Sequence, residues 1–526
     1  MILSSKKNEF KKIDCCFLVV DNAKRSYQSL SEKYSAIEPP TWALLLSESI
    51  RSRGFNPSII DANAEKLTKE QIYSRLNEIK PRLICFVVYG QNVNAGTTNM
   101  SGVVYVANYL KEKKLNVPLS IIGSHVQALP IETLKKEKSF DFVFTNEAVY
   151  SLRNVLGLES FSPNYLKNVN GIAYRDNNEI LMTNPEKVVP NEKMDIDLPG
   201  YAWDLLPYKN KPLDLYRSPM WHAEYDFEKR TPYASLQTSL GCQFGCNFCM
   251  INILNRNDNE EVGVASNYSG MRFWTTEFII KEFDKLIDMG VKTIRIVDEM
   301  FLLNPKYYIP LCKELAERNK DDSLRIWSYS RIDTVKRPEI LELVRKAGIK
   351  WLALGIESGA KSVRLEVDKG KFEDVDVRKV IQKVHEADIN VMANYIFGLP
   401  GDTKETIKKT MELSLDLCTA GWNTYAAMAL PGSLLYKKAL EDGTKLPESY
   451  EGYSFHSYET LPLPTEKLSA EEIIVLRDNA FNKYHNYKPF LNLIEKKFGK
   501  KAADNIIEMT KIKLKRKIKG DQNPSV

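Results

Sequence analysis

Three cysteines fall within eight residues in the run Gly241-Cys242-Gln243-Phe244-Gly245-Cys246-Asn247-Phe248-Cys249. The spacing is C-x3-C-x2-C. Thiolates this close in sequence converge only from a loop, and Gly241 and Gly245 let the backbone bend tightly. Thiolate ligands select zinc or iron–sulfur centres. A structural zinc takes four ligands, but the next cysteine is Cys312 and the next histidine His385. Three thiolates on a cubane cluster instead leave one iron open, a departure from four-cysteine ligation. An open iron can chelate the amino and carboxylate groups of a substrate or cofactor. From the residues alone, an incomplete zinc site and three unrelated core cysteines stay open as alternatives. The remaining cysteines (Cys15, Cys16, Cys85, Cys312 and Cys418) lie in apolar patterns and read as inert buried thiols.

The elements that must hold this loop follow from periodicity. Apolar runs at 235–239, 293–297, 326–330, 351–356, 390–397 and 424–430 read as strands. Helix-like segments at 277–289, 307–318, 338–347, 375–387 and 404–418 separate them. This alternation predicts a partial or full β/α barrel over 233–440, with its chemistry at the carboxyl ends of the strands. The cysteine loop directly follows the first strand. Residues 1–160 alternate in the same way, with strands at 15–20, 58–61, 82–89, 119–122 and 140–144 and helices at 41–53, 70–80 and 103–113. That pattern predicts an α/β, doubly wound parallel sheet. Ligands of such sheets bind at the carboxyl ends of the strands. Those ends carry Tyr89, Gly90, Gln91 and Asn92, then Gly123, Ser124, His125 and Val126, then Asn146 and Glu147. Residues 161–232 read as a connector with a hairpin around Asp176-Asn177-Asn178. Residues 441–526 read as mainly helical. The basic stretch 511–519 reads as a solvated or frayed terminal helix, with a nucleic-acid or membrane contact as the alternative.

The 526 residues are 43% hydrophobic and 27% charged, with a formal net charge of +6. That is the balance of a globular multidomain protein, and so modest a charge gives no case for a nucleic-acid partner. No run approaches the roughly 20 apolar residues that span a bilayer, and the polar start gives no signal peptide. The expectation is a cytoplasmic protein whose cysteines are reduced. The histidines at 222, 385, 456 and 485 have no metal spacing and read as structural, with a place for Trp221 and His222 at the barrel mouth as the alternative.

The cysteine loop and the segments behind it resemble the radical S-adenosylmethionine (SAM) superfamily over about 230–435. Val297-Asp298-Glu299-Met300-Phe301 looks like the second-strand segment that binds the methionine amino group. Ser330-Arg331 is similar to a polar pair ending a middle strand. Gly355-Ile356-Glu357-Ser358-Gly359 looks like the segment that meets the SAM ribose and carboxylate. Phe397-Gly398-Leu399-Pro400-Gly401 resembles the later glycine turn near the adenine, and Phe248 matches the aromatic position that packs on adenine. The resemblance implies a 4Fe–4S cluster on Cys242, Cys246 and Cys249, with SAM held by Phe248, Asp298, Glu299, Ser330, Arg331, Glu357, Ser358 and Gly398. Taken singly, Asp298 and Glu299 also fit a helix cap, Glu357 an ion pair, and the glycines plain turns.

The N-terminal part is similar to the cobalamin-binding domains of class B radical SAM methyltransferases. Glu38-Pro39-Pro40-Thr41-Trp42 and Gly123-Ser124-His125-Val126-Gln127-Ala128-Leu129-Pro130 carry that likeness. It implies cobalamin contacts from Tyr89, Gly90, Gln91, Asn92, Gly123, Ser124, His125, Val126 and Glu147, although His125 equally fits a polar residue in a helix-start turn. Two departures stand out. The third-strand loop Tyr89–Gly96 lacks the Asp-x-His-x-x-Gly histidine that ligates cobalt in some relatives. The loop Thr145-Asn146-Glu147-Ala148 keeps one acidic residue of Gly-Glu-x-Glu. A domain that has lost cobalamin and only scaffolds is the alternative.

The function these resemblances imply is reductive cleavage of SAM to a 5′-deoxyadenosyl radical, with cobalamin-dependent methyl transfer to an unactivated carbon of a small molecule. An electron donor such as flavodoxin or ferredoxin is implied, and neither a membrane nor a nucleic acid. Cobalamin-dependent rearrangement or cyclisation without methylation is one alternative, and a non-catalytic metal-binding scaffold another. The 450–458 aromatic cluster is expected to shape the substrate pocket.

Overall fold

The computed structural model describes residues 12–89, 92–261, 263–335, 337–366 and 375–524. The first sheet contains β1 (Cys15–Val19), β2 (Pro57–Asp61), β3 (Leu83–Val88), β4 (Leu119–Gly123), β5 (Phe142–Phe144), β6 (Ile172–Asp176) and β7 (Glu179–Met182). Its order is β2-β1-β3-β4-β5-β6-β7, and β1 to β5 run parallel. The centre is apolar on both faces: Leu-Ile-Cys-Phe-Val-Val of β3 is wholly buried, as a parallel sheet between helix layers requires. Chain order reverses between β1 and β3, the switch point where such sheets open a crevice.

The expected hairpin forms, but it is no free connector. The strands β6 and β7 add antiparallel to β5 as the edge of this sheet, and Asn177 takes the left-handed turn position at φ 54°. The predicted N-terminal strand and helix positions reappear with ends shifted by a few residues, except that the third helix is longer, Gly96–Glu112.

The second sheet holds β8 (Tyr233–Leu236), β11 (Thr293–Ile296), β12 (Arg325–Arg331), β13 (Ile349–Glu357), β14 (Asn390–Phe397) and β15 (Gly421–Ala426). It is six-stranded, in the order β15-β14-β13-β12-β11-β8. All neighbours are parallel. The first and last strands do not pair, so the barrel is partial. Between β8 and β11 lie the short β9 (Ser239–Leu240) and β10 (Arg272–Phe273), an antiparallel pair at the base of the cysteine excursion. The last strand begins and ends earlier than the predicted 424–430, because 427–430 leaves the sheet after Ala426.

Helices cover the barrel and its open side. The segment Lys404–Leu417 starts in a capping box between Thr403 and Thr406. The C-terminal helix Ala470–His485 packs beside β15: Tyr484 stacks on Trp422 at 5.1 Å, and Arg477 Nε donates to the Thr424 carbonyl at 3.0 Å. Trp221 and His222 take the structural role rather than the alternative place at the mouth. They plug the opposite end of the barrel, with Trp221 4.6 Å from Trp327 and His222 Nε2 3.1 Å from the Arg325 carbonyl.

The basic terminal stretch is not a frayed helix, but its lysines are solvated as expected. Beyond Lys511 the chain is irregular up to the 3-10 turn Lys517–Lys519, and fully buried Arg516 pairs with Asp478 at 2.8 Å. The Lys515 amide donates to Gln28 of the N-terminal part at 3.1 Å. No described helix is long and apolar enough to cross a membrane.

Candidate active site

The cysteine loop leaves the barrel where β9 ends. Gly241 there has φ +88°, and a Cβ would overlap the Asn255 amide, so only glycine fits. Asp298, the residue expected at SAM, instead holds this departure in place. Its carboxylate accepts from Thr238 N, Thr238 Oγ1 and Ser239 Oγ, each at 2.6 Å. Burial raises its pKa against those donors. Asp298 therefore acts on the site through the backbone that carries the cysteines.

Cys242 is buried, and Cys246 and Cys249 are half-buried. Burial pushes the Cys249 thiol up, and Glu299, Cys246 and Cys242 add to the rise, so these four groups lie within electrostatic reach. Three soft donors on one loop, partly shielded from water, suit an iron–sulfur cluster. Cys242 also shares an apolar cluster with Val93, Ala128 and Leu129 of the N-terminal part.

Of the predicted SAM residues, Arg331 and Glu299 lie beside this loop and Phe248 is part of it. Phe248 packs on Ala360, Ile396, Leu399 and Ala427, beside the Ser358 and Gly398 segments. Gly398 has φ +84°, and its amide donates to Asp402 at 3.0 Å. Asp402 is raised to about 6 by burial, with its hydrogen bonds opposing. Arg331 stacks on Phe244 of the cysteine loop at 3.9 Å and donates to Asp333. Ser330 meets Thr334, and Ser358 meets Thr410. Glu357 is buried at φ 65°, where the β13–β14 register shifts. A left-handed residue with a side chain costs about 1–2 kcal/mol, and such strain gathers at functional sites.

Between the carboxyl edge of the first sheet and the cysteine loop lies a cleft of about 1400 Å³, counting its open mouth. One wall carries Val19, Trp42, Tyr89 and Asn92, and the other Gln237, Gly241, Leu254 and Glu299. Trp42 stacks on Tyr89 at 5.5 Å. Buried atoms Asn92 Oδ1 and Gln237 Oε1 have no hydrogen-bond partner, a donor-seeking surface suited to amide-bearing cobalamin. No histidine is among the residues lining the cleft.

Of the residues expected to hold cobalamin, Tyr89 and Asn92 line this cleft, and Gly90 and Gln91 lie outside the described residues. The others are used elsewhere. A Cβ on Gly123 would overlap the Val88 carbonyl, so this glycine serves the close approach of β4 to β3. Ser124 donates to the Val93 carbonyl at 2.8 Å, and Val126 is fully buried. His125 faces away from the cleft, against Tyr450 at 5.1 Å and Thr97 at 3.3 Å. Glu147 forms a buried ion pair with Arg272 of β10 at 2.8 Å and accepts from the Val189 amide. It fastens the cysteine excursion to the first sheet.

Beyond the likeness that Glu38 helps carry, sequence reasoning assigns no role to Glu38, Arg295 or Tyr27. Glu38 forms an ion pair with Arg295 of β11, both carboxylate oxygens lying 2.7 Å from Nη1. Arg295 is sandwiched near Trp327 and Tyr329. Tyr27 lies within electrostatic reach of Glu38 and Tyr329. In the predicted aromatic cluster, Phe455 meets Tyr425 at 5.2 Å and His456 meets Tyr27 at 5.3 Å, whereas Tyr450 turns to His125. An arginine in the fully buried strand Thr-Ile-Arg-Ile was the available signal for the ion pair.

Residues 236–414 match the family model described as the Radical SAM superfamily. The chain carries a radical SAM domain. Its cofactors are a 4Fe–4S cluster and SAM. An anaerobic magnesium-protoporphyrin IX monomethyl ester cyclase of Cereibacter sphaeroides is 23% identical over 485 residues, covering 88% of this chain and 69% of its own. The fold around the radical SAM domain is similar to that of TsrM from Kitasatospora setae, a radical SAM methyltransferase solved with cobalamin and a [4Fe-4S] cluster. The TM-score is 0.62 at 15% identity, with 90% of this chain and 88% of that one covered. It is also similar to the cobalamin-dependent radical enzyme OxsB solved with aqua-cobalamin and SAM, at TM-score 0.64 and 15% identity, covering 95% and 71%.

Proposed function

We propose that the chain is a cobalamin-dependent radical SAM methyltransferase that alkylates a carbon of a small molecule. The observation that carries this reading is the cleft: it joins the carboxyl edge of a cobalamin-type sheet to the cysteine loop of the radical SAM domain. When bound, the cluster and SAM supply carbon-radical chemistry and cobalamin supplies a transferable methyl group.

The chain's own residues do the rest. Cys242, Cys246 and Cys249 would hold the cluster. Asp298 fixes the start of their loop, and Phe248 with Ile396 and Leu399 offers an apolar face for an adenine. Glu299 lies within electrostatic reach of Cys249, suited to an amino group. Tyr89, Asn92 and Gln237 would meet the corrin, and Trp42, stacked on Tyr89, lines the same wall. Among the described residues, the charged side chains lining the cleft are Asp21, Glu38 and Glu299, and Glu38 is paired with Arg295. The carboxylates of Asp21 and Glu299 disfavour an anionic substrate there.

A second reading is cyclisation without methyl transfer, favoured by the Cereibacter sphaeroides cyclase among the relatives. Product mass separates the two. The protein is reconstituted anaerobically with iron, sulfide and cobalamin, reduced with dithionite, and given SAM and candidate substrates. Methyl transfer adds one CH2 to the substrate, and cyclisation does not. About four irons per chain, bound corrin and formation of 5′-deoxyadenosine are expected, with iron and 5′-deoxyadenosine lost when the three cysteines become alanine. Cluster and cleavage without corrin would remove methyl transfer from the proposal.

A further inference from the structure

Asn94 belongs to the N-terminal part, in the 3-10 turn Val93–Ala95 that follows β3. Its side chain nevertheless ends at the cysteine loop. Asn94 Oδ1 accepts from the Met250 amide at 3.2 Å, and Asn94 Nδ2 donates to Cys249 Sγ at 3.8 Å. One carboxamide therefore grips the loop at two adjacent residues, 155 positions away in sequence. Its chain neighbours Asn92, Val93 and Ala95 all line the cleft.

We infer that Asn94 tunes the cluster: it is a positioning residue, supplied by the neighbouring domain, that sets the reduction potential of the cluster held by Cys249. The inference rests on the assignment of Cys242, Cys246 and Cys249 as cluster ligands. Reduction adds one negative charge to the cluster, and part of that charge resides on the ligand sulfurs. An N–H donor aimed at a ligand sulfur stabilises the reduced form more than the oxidised one and so raises the potential. Because the donor comes from a turn on the cleft wall, a ligand that shifts the turn shifts the N–H···S contact. By linkage, corrin occupancy and cluster reduction then influence each other.

The test is an EPR-monitored redox titration of the reconstituted full-length protein, with and without hydroxocobalamin. Asn94→Asp is the decisive variant: its carboxylate still accepts from the Met250 amide but cannot donate to sulfur and adds negative charge. Its cluster should be at least about tenfold harder to reduce, about 59 mV for a one-electron couple. Asn94→Ala should move the potential the same way by less. Hydroxocobalamin should shift the wild-type potential and leave that of Asn94→Ala unmoved. An unchanged potential in Asn94→Asp, with about four irons retained, overturns the inference. Should Asn94→Asp lose its iron, Asn94→Ser, too short to reach the sulfur, decides by the same titration. A wild-type protein that binds no cluster would instead sink the cysteine assignment beneath it.

Discussion

Glu38 and Arg295 couple two halves of the molecule through a contact whose cost is asymmetric. Arg295 is 1% exposed in its side chain and Glu38 14%, so the guanidinium depends on the carboxylate for its charge. Breaking a buried pair by removing one partner typically costs about 3–5 kcal/mol. Glu38→Gln should therefore lower the melting temperature strongly. Glu38→Gln combined with Arg295→Met should recover much of the loss, since no buried charge remains. Melting curves of the single and double variants check this. Equal and additive losses would mean that the pair is already solvated.

The elements around the site depend on backbone positions that no side chain can take. Gly398 ends β14 at φ +84°, and a Cβ would lie 2.8 Å from Ile473 Cδ1 of the C-terminal helix. Gly398→Ala should cost about 1–2 kcal/mol from the left-handed backbone alone. It should also weaken SAM binding, because the turn that Asp402 holds must move. Equilibrium dialysis with SAM and thermal melting separate the two effects. A melting loss with unchanged SAM affinity would remove this turn from the proposed SAM site. Gly123 differs in kind: its obstacle is the Val88 carbonyl, and backbone yields less readily than the tip of an isoleucine.

At the scale of the molecule, the interface between the first sheet and the C-terminal region buries a neutral imidazole. His125 is held down to about 3, by burial first and by Lys136 second, and its ring rests on Tyr450. Its ordinary pKa is about 6.5. The unfolded chain therefore binds a proton between about pH 6.5 and 3 that the folded chain does not. Stability is fully present above that window and falls as pH drops through it, by up to about 1.4 kcal/mol per pH unit for one such group. His385 and His485, both held to about 4 by burial, add to the same slope. His125→Asn should flatten the decline of melting temperature between pH 6.5 and 5. An unchanged slope would mean that the ring is already solvated and protonates freely.

Sequence by itself determined what depends on neighbours along the chain. The C-x3-C-x2-C loop, the strand–helix alternation of both sheets and the glycine turn at 398 were legible because each is carried by a few consecutive residues or by a short period. Residue type also told which groups could do chemistry, but it did not tell which of them the fold would use for its own support. Asp298, Glu147 and His125 looked like ligand-binding residues, and the structure engages them in a loop anchor, an interdomain ion pair and a buried packing contact. Whether the β/α unit closes was equally out of reach, because closure depends on how β8 and β15 sit across the barrel. The cleft and its links belong wholly to tertiary structure. Glu38 meets Arg295 across 257 positions, and Asn94 meets Cys249 across 155. Such contacts leave no periodic trace, since one residue on each side suffices and any spacing serves. Only the packing of one sheet edge against the other domain's loop brings them within hydrogen-bonding distance.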